Sequence, residues 1–404
     1  MAAVEATSLS DAVVVADVVR FDDARLQVRI AIASVGDRRV PVVSWVVDAS
    51  AEEPPVVAVA RASDRCSLAV VVGAELSIVD LRDGTRSVIE EDVQWPAETN
   101  GEGVLAWGAD GPSVVAAEAV GPRRLPLADG RELVLDVSVS CDDGFSGGDQ
   151  SGAMFVTAPV GTSELDVASA QDALQAKLDE QAMVEHRAWA RIEGPHPPAV
   201  LFDADESGAY GSTTVHWPVS EGPSGVIVRA STTRVVGLGR DETEIARPWF
   251  VGRDGAVRRL DVRLGNAPVC ELPDGRWLMP GADELWCDSG HEPLHALGLD
   301  GRLSPWHPGP DVTTVSLLQE VAPDLLPPKP PQNLDDWPWL TAAHVAADGQ
   351  RLVLLITDVP WKQRWDPGTE AGWAVVSLPS DGSGTPTLLA KGRRTAKHFS
   401  AIAL

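Results

Sequence analysis

The dipeptide Asp-Gly recurs along this chain between short apolar runs, and this pattern restricts the possible folds more than any other feature. Asp-Gly accepts the positive φ angles of a type I′ turn, which joins two antiparallel strands. The flanking runs alternate apolar and polar residues, as a half-buried strand does. The sequence therefore predicts an all-β protein built from hairpins. The dipeptides are Asp83-Gly84, Asp129-Gly130, Asp254-Gly255, Asp274-Gly275, Asp300-Gly301, Asp348-Gly349 and Asp381-Gly382.

The spacing of these dipeptides indicates how the hairpins assemble. Asp83 and Asp129 are as far apart along the chain as Asp254 and Asp300. A repeat of about 40 to 45 residues is the length of one four-stranded propeller blade. We therefore expect the hairpins to pair into such blades.

Three segments share a more detailed pattern. Residues 63–84 and 273–301 each contain an Asp four positions before a Leu, then Gly-Ala and Glu-Leu, and residues 348–352 repeat the first half. In these segments the chain resembles the propeller repeats of the TolB type, which are related in style to WD-repeats. The resemblance implies a single β-propeller domain over residues 1–404, with about seven four-stranded blades. We also expect the first and last strands to share a blade, because this closes the ring and removes exposed edges.

Two segments interrupt the strand pattern. Residues 163–193 lack turn residues and are rich in Ala, Gln, Glu and Leu, so we expect a helical insertion that Gly194-Pro195 ends. This helix either packs on the propeller rim or connects two β domains; the insertion is preferred, since hairpin signals resume directly after it. Residues 325–339 are proline-rich and are expected to form a surface loop between blades.

The charge balance disfavours several classes of partner. The chain has 59 acidic and 33 basic residues, a formal net charge of -26. Nucleic acid and anionic membranes attract Lys and Arg, so we expect neither as a partner. A basic patch near the C-terminus is interpreted as a solvated strand edge; it contains Lys391, Arg393, Arg394 and Lys397. Four well-separated cysteines and an acidic start without a continuous apolar span favour a cytoplasmic protein.

His291, Glu292 and His295 match the pattern H-E-x-x-H, which lies on a helix in metalloproteases. Pro293 lies between the two histidines and glycines flank them, so we expect a strand over residues 293–299, the last strand of its blade. On a strand the two imidazoles would lie about 13 Å apart, too far to share one zinc ion. The sequence therefore predicts no metal site here.

The stretch 144–148 matches the hydrolase pattern G-x-S-x-G. A nucleophile elbow needs a helix directly after the Ser, but a strand is predicted after Ser146. The first histidine of the chain, His186, comes after Ser146, so the chain order of trypsin-type proteases is absent too. No phosphate-binding loop occurs either. We expect neither a catalytic triad nor a cofactor.

Tryptophan is the residue type whose distribution suggests a binding surface. Of the 14 tryptophans, most lie in the second half of the chain. Trp277, Trp286 and Trp373 fall in strand-like runs and are expected to belong to the core. Others fall in polar, proline-containing loops, where a large rigid face is typical of an interaction hot spot. The candidate binding residues are Asp335, Asp336, Trp337, Trp339, Trp361 and Trp365.

These patterns favour a non-catalytic scaffold of the propeller type that presents loops to a protein partner. The alternative is a small-ligand binder or hydrolytic enzyme whose polar side chains converge on the central channel from several blades. No motif within one sequence would reveal such a constellation, because propellers serve in both binding and catalysis. Both hypotheses therefore stay open on the sequence alone.

Overall fold

The structure is a computed structural model, and it describes most of the chain in separate ranges. These are residues 12–22, 24–48, 57–62, 64–93, 103–108, 111–116, 123–126, 131–142, 149–159, 199–201, 214–216, 219–228, 231–236, 240–245, 248–252, 257–262, 268–281, 292–307, 311–326, 338–346, 348–357, 371–394 and 398–404.

Short strands make up most of the described residues. In chain order they are β1 (Val13–Arg20), β2 (Arg25–Ser34), β3 (Arg38–Asp48), β4 (Val57–Arg61), β5 (Ser67–Val72), β6 (Glu75–Asp80), β7 (Arg86–Glu90), β8 (Gly103–Gly108), β9 (Gly111–Ala116), β10 (Arg123–Pro126), β11 (Arg131–Asp142), β12 (Asp149–Pro159), β13 (Ala199–Leu201), β14 (Thr214–His216), β15 (Val219–Glu221), β16 (Gly225–Val228), β17 (Ser231–Val236), β18 (Arg240–Ile245), β19 (Trp249–Gly252), β20 (Val257–Arg259), β21 (Cys270–Glu271), β22 (Trp277–Met279), β23 (His295–Leu297), β24 (Leu303–Pro305), β25 (Trp339–Val345), β26 (Arg351–Thr357), β27 (Ala371–Pro379), β28 (Thr387–Arg394) and β29 (His398–Ala403).

These strands assemble into antiparallel sheets with the strand order of propeller blades. Three sheets run simply from first to fourth strand: β4 to β7 (the second blade), β21 to β24 (the penultimate blade) and β25 to β28 (the last blade). Two more four-stranded sheets contain β10 to β13, and β15, β16, β19 and β20. The hairpin β17–β18 is inserted into the latter and pairs with β14, while β8 and β9 form a two-stranded sheet. The all-β propeller is confirmed, and the number of blades stays a prediction.

One blade combines the beginning and the end of the chain. β29 pairs with β1, from Val14 opposite Ala403 to Val19 opposite His398, and β2 and β3 complete this closing blade. The expectation that the first and last strands share a sheet is therefore confirmed. β29 lies beside β4, β4 beside β8, and β21 beside β25. The first strands of neighbouring blades thus face one another around the central axis.

The hydrophobic core consists of the layers between neighbouring blades. In β1, Val14, Ala16 and Val18 pack against the second blade, whereas Val13 and Val15 pack against the last blade. Because both faces of β1 are covered, its sequence is nearly continuously apolar instead of alternating. Each blade depends on its neighbours to bury its faces.

The Asp-Gly turns differ from the expected type. A type I′ turn needs a positive φ at both residues. In the five described Asp-Gly pairs only the glycine has one, between 69° and 81°. At Gly275 the N–H donates to the carbonyl oxygen of Leu272, which makes a type I turn followed by a left-handed glycine. The prediction of type I′ turns is wrong, because the sequence shows that the pair tolerates a positive φ but not which residue adopts it.

The Asp side chain of each described pair stabilises the turn instead. Its Oδ1 atom accepts a hydrogen bond from the backbone N–H two residues later, as in Arg276 to Asp274 at 3.0 Å. The same bond forms at Asp83, Asp300, Asp348 and Asp381. Asp therefore serves here as the hydrogen-bond acceptor for the turn backbone.

The two ends of the propeller differ in their connections. In the penultimate and last blades, Asp-Gly turns join the first strand to the second and the third to the fourth. We call the end with these turns the turn end. The segments that join the second strand to the third, and one blade to the next, leave from the opposite side, the loop end.

A short helix, α1 (Thr314–Val321), packs between the penultimate and last blades. Thr313 and Ser316 form a capping box, in which each side chain accepts a hydrogen bond from the backbone N–H of the other. Leu317 and Leu318 are buried in the layer between the two blades. This helix was not predicted from the sequence.

The helix that we expected over residues 163–193 lies outside the described residues.

A 3-10 turn (Pro323–Leu325) follows α1. No helix in the part of the chain that the structure describes is long and apolar enough to span a membrane. Of the cysteines, Cys66 and Cys270 are free thiols, and burial raises the pKa of Cys270 to about 12.

Candidate functional site

The first residue of β25 and the last residue of β26 lie opposite each other at the loop end of the last blade. Trp339 pairs with Thr357 in the antiparallel ladder. Residues 327–337 precede β25, and residues 358–370 connect β26 to β27. Both segments that carry candidate binding residues are therefore attached to the same corner of one blade, which we call the loop corner.

Of the candidate binding residues, the structure describes Trp339. It is half-buried and is the first residue of β25, so it belongs to the sheet and not to the loop in which the sequence analysis placed it. The other candidates lie outside the described residues; they are Asp335, Asp336, Trp337, Trp361 and Trp365. Trp277 and Trp373 are buried, as expected for core positions, and Trp286 lies outside the described residues.

The pairing at the loop corner continues as a row across the last blade. Thr357 also pairs with Trp373 of β27, and Trp373 pairs with Gly392 of β28. Residues directly opposite each other in an antiparallel ladder share one face of the sheet. These four residues therefore form one row across the blade: Trp339, Thr357, Trp373 and Gly392. The Trp373 ring covers Gly392 at the outer end of this row.

Arg39 of the closing blade contacts this row at Trp373. Its guanidinium carbon lies 5.8 Å from the ring centroid of Trp373. Nη1 forms an ion pair with Asp17 at 2.6 Å, and Nη2 donates to the carbonyl oxygen of Lys391 at 2.7 Å. Arg39 thus joins the closing blade to both outer strands of the last blade, and the Trp373 ring has a defined position.

The chain that enters the loop corner is fixed before it leaves the described region. Asp324, in the 3-10 turn, accepts a hydrogen bond from Lys391 Nζ at 2.6 Å, and its carbonyl oxygen accepts one from Arg393 Nη2 at 3.0 Å. The bond from Lys391 lowers the pKa of Asp324 from its usual value. Lys391 and Arg393 lie on β28, the outer strand of the last blade, as expected for a strand edge, but both bind Asp324 and are not purely solvated. The side chain of Arg394 and the whole of Lys397 lie outside the described residues. Segment 327–337 is therefore anchored on both sides, by Asp324 and by Trp339.

The H-E-x-x-H pattern does not lie on a helix. His295 is the first residue of β23, and its Nδ1 lies within hydrogen-bond distance, 2.7 Å, of the carbonyl oxygen of Pro293. The expected strand is confirmed, but it is the third strand of the penultimate blade and not the last, because β24 follows the Asp300-Gly301 turn. His291 lies outside the described residues. Among the residues that are described, no group of three or more His, Cys, Asp or Glu side chains could hold a metal ion.

The G-x-S-x-G stretch at residues 144–148 also lies outside the described residues. β11 ends at Asp142 and β12 begins at Asp149, and these two residues pair with each other. The stretch therefore joins two strands of one hairpin. The strand predicted after Ser146 is confirmed, and this context differs from that of a nucleophile elbow.

The proximity of Arg39, Trp373 and Lys391 was not predicted from the sequence. Arg39 and Lys391 are 352 positions apart, and only closure of the ring brings them together. The available signal was Gly392 itself, because a glycine inside a strand often marks a close approach by a neighbouring side chain or backbone.

Comparison of the chain with known proteins finds similar solved structures but no matching sequence. No family model matches the chain, and no curated protein matches it. The chain is similar to a structure assigned to TolB from Agrobacterium tumefaciens, with a TM-score of 0.34 and 11% identity over 94% of this chain and 97% of that one. A eukaryotic initiation factor gives a TM-score of 0.32 and 9% identity over 96% of this chain and 99% of that one. The WD40 domain of SCAP from fission yeast gives 0.23 and 8% over 95% of this chain and 86% of that one. Blade order and ring closure assign the chain to the β-propeller fold.

Proposed function

We propose that this propeller is a non-catalytic scaffold that binds a protein partner at the loop corner of the last blade. The observation that carries the proposal is the pairing of Trp339 with Thr357. It attaches two tryptophan-bearing segments, 327–337 and 358–370, to adjacent strand ends.

Chain connectivity supports a common surface for these tryptophans. Trp337 is two residues before Trp339, and Trp361 is four residues after Thr357. A chain extends by at most about 3.6 Å per residue, so only a few residues of chain connect each tryptophan to the paired strand ends. A few residues carry most of the binding energy of a protein interface, and tryptophan is enriched among them.

The anchoring of the segments supports binding as well. Asp324 is bound to Lys391 and Arg393, and Trp339 is part of the sheet. Segments with fixed ends lose less conformational entropy when they bind. The loop corner is therefore suited to recognising a partner of fixed shape.

The charge of the chain supports a protein as the partner class. A net charge of -26 repels nucleic acid and anionic lipid surfaces. Protein interfaces are enriched in aromatic residues at their core and are polar at their rim.

The experiment is affinity purification of the tagged chain from lysate of its own host, with co-purifying proteins identified by mass spectrometry. The test variant is Trp337→Ala with Trp361→Ala, because neither residue belongs to a described strand. The variant Trp337→Ala with Trp339→Ala is compared with it. The control is Val35→Ser, an exposed apolar residue at the turn end with 58% of its surface accessible.

We expect one stoichiometric partner that the Val35→Ser variant retains and both tryptophan variants lose. Thermal melts check that each variant is folded. A partner that binds the Trp337→Ala, Trp361→Ala variant as tightly as the wild type would remove the loop corner from the interface. Purification without any partner would contradict the scaffold function.

A further inference from the structure

Strand β7, the outer strand of the second blade, is exposed on both faces. Ser87, Val88, Ile89 and Glu90 are all exposed, with 41% of Val88 and 52% of Ile89 accessible. The outer strand β3 also exposes Val40 and Val46, but it buries Val42 and Val47, whereas no residue of β7 is buried. An edge strand that exposes an apolar pair and buries nothing needs a physical explanation.

The other long outer strands carry residues that prevent edge pairing. β3 contains Pro41 and begins with two arginines, and β28 contains Lys391 and Arg393. Lysine and proline on an edge are known devices against strand addition. β7 contains neither, and its bulge, between the pairs Ser77–Val88 and Leu76–Glu90, begins only after Val88. Its single basic residue, Arg86, is turned inward over the Trp45 ring, 4.8 Å from the centroid.

The hydrogen-bonding groups of β7 leave an open edge. Among the described strands, β7 pairs with β6 on one side and with none on the other. At the turn before β7, the Asp80 N–H donates to the carbonyl oxygen of Thr85 at 2.8 Å. In an antiparallel ladder the backbone N–H and carbonyl groups of every second residue point toward the partner strand. Ser87 lies two residues after Thr85, so its backbone groups also point toward β6. The N–H and carbonyl groups of Arg86 and Val88 therefore point away from the sheet.

The charges beside this edge select the ligand. Glu90, Glu91 and Asp92 follow Ile89 and are exposed, within a chain of net charge -26. A second copy of the chain would bring the same acidic run and the same overall charge against this edge. A peptide with Lys or Arg alternating with apolar residues would place its basic side chains within reach of the acidic run at Glu90 and Glu91 and its apolar side chains on the face that carries Val88.

We infer that β7 binds a cationic peptide in extended conformation, which adds to the second blade as a fifth strand. Main-chain hydrogen bonds from Arg86 and Val88 supply the affinity, and the acidic run supplies the preference for basic residues. This edge belongs to a different blade from the loop corner, so the inference does not depend on the proposed function.

The probe is a fluorescein-labelled peptide, Lys-Val-Lys-Val-Lys-Val-Lys, titrated with the full-length protein and followed by fluorescence anisotropy. A peptide with the same charge, Lys-Pro-Lys-Pro-Pro-Lys-Pro-Lys, has prolines in both alternating sets of positions, so it lacks ladder donors whichever set faces β7. It tests for non-specific attraction. We expect the first peptide to bind about ten-fold more tightly than the second, because the second loses strand hydrogen bonds. Equal binding would show attraction by charge alone and would overturn the inference.

Two variants test the edge itself. Val88→Pro removes the N–H that points away from the sheet but keeps every hydrogen bond between β6 and β7. We expect this variant to bind the Lys-Val peptide about ten-fold more weakly. Val88→Thr keeps that N–H and should bind as the wild type does. Glu90→Lys with Glu91→Lys should also weaken binding, whereas Asp311→Lys with Glu320→Lys changes the net charge equally at exposed positions near α1 and should weaken it less.

Hydrogen exchange supplies a readout that does not depend on any variant. Amide exchange in residues 82–93, measured by mass spectrometry, should slow when the Lys-Val peptide is bound and should be unchanged with the proline-containing peptide. Protection confined to the loop corner, or to no segment, would refute a fifth strand on β7.

Discussion

The indole ring of Trp373 lies against the backbone of Gly392, its partner across the ladder between β27 and β28. A Cβ atom on residue 392 would lie 2.7 Å from Cε2 of Trp373, closer than carbon atoms approach in real structures. Residue 392 is therefore glycine because the ring occupies the space that a side chain would need.

We predict that Gly392→Ala destabilises the protein by about 1–3 kcal/mol, the usual cost of overpacking a buried site. Urea denaturation measures the loss. In a Trp373→Leu background the same substitution should cost much less, since the smaller side chain leaves room. Equal costs in both backgrounds would contradict the steric explanation.

Arg39 should contribute more to stability than most ion-paired residues at the surface. Arg39 and Asp17 are 26% and 18% exposed, and the guanidinium also bonds to Lys391 and covers Trp373. We predict that Arg39→Met costs about 2 kcal/mol and that Arg39→Lys recovers only part of this, because an ammonium lacks the planar fork.

The matched control is Arg82→Met, which removes an ion pair with Asp80 in which Arg82 is 52% exposed. Exposed pairs of this kind are screened by water, so no measurable change is expected. If both substitutions shift the urea midpoint equally, Arg39 does not connect the two blades in the way described.

The Asp-Gly turns should tolerate asparagine better than alanine at the glycine position. Gly349 has a φ of 69°, and no atom lies within 4 Å of the position that a Cβ would take. Any cost is therefore backbone strain alone. We predict a loss of about 1 kcal/mol for Gly349→Ala and a smaller one for Gly349→Asn, since Asn adopts left-handed conformations more readily. Thermal unfolding distinguishes them, and an unchanged midpoint for Gly349→Ala would refute the prediction.

Acidification should weaken the contact between Lys391 and Asp324. The hydrogen bond from Lys391 lowers the pKa of Asp324. A carboxyl group with a lowered pKa in the folded state stabilises the protein above its unfolded pKa, and this contribution is lost as the pH falls through the folded value. Below about pH 4, the wild type should therefore lose stability more steeply than Asp324→Asn.

Thermal melts from neutral pH downwards measure this slope. Glu320→Gln, a neutralisation at an exposed position on α1, serves as the control and should follow the wild type. Parallel curves for the wild type and Asp324→Asn would mean that the contact does not stabilise the fold.

Local chemistry made the fold class predictable from the sequence. The Asp-Gly pairs mark reversals of the chain whatever their turn type, and the apolar runs of β1, β5 and β26 show which strands are covered on both faces. Helix α1 was missed because its eight residues span only about two turns, too few for a helical period to stand out.

The candidate site was predictable only in part, because its geometry depends on pairing between distant strands. The sequence shows that tryptophans cluster between residues 337 and 365. The alignment of Trp339 with Thr357, however, depends on the register of β25 and β26. That register contains a bulge between Leu340 and Ala342. An irregularity of this kind shifts the face on which later residues lie, and no periodicity in the sequence indicates it.

The pairing of β1 with β29 also has a consequence for how the chain folds. Val14 and Ala403 meet only after nearly the whole chain has been ordered between them. Contacts of such high contact order form slowly, because the entropy of loop closure is lost before any contact compensates for it. The closing blade should therefore be the last to assemble. Until then, the apolar edge of β1 is open to other unfolded chains, so the yield on refolding should fall as protein concentration rises.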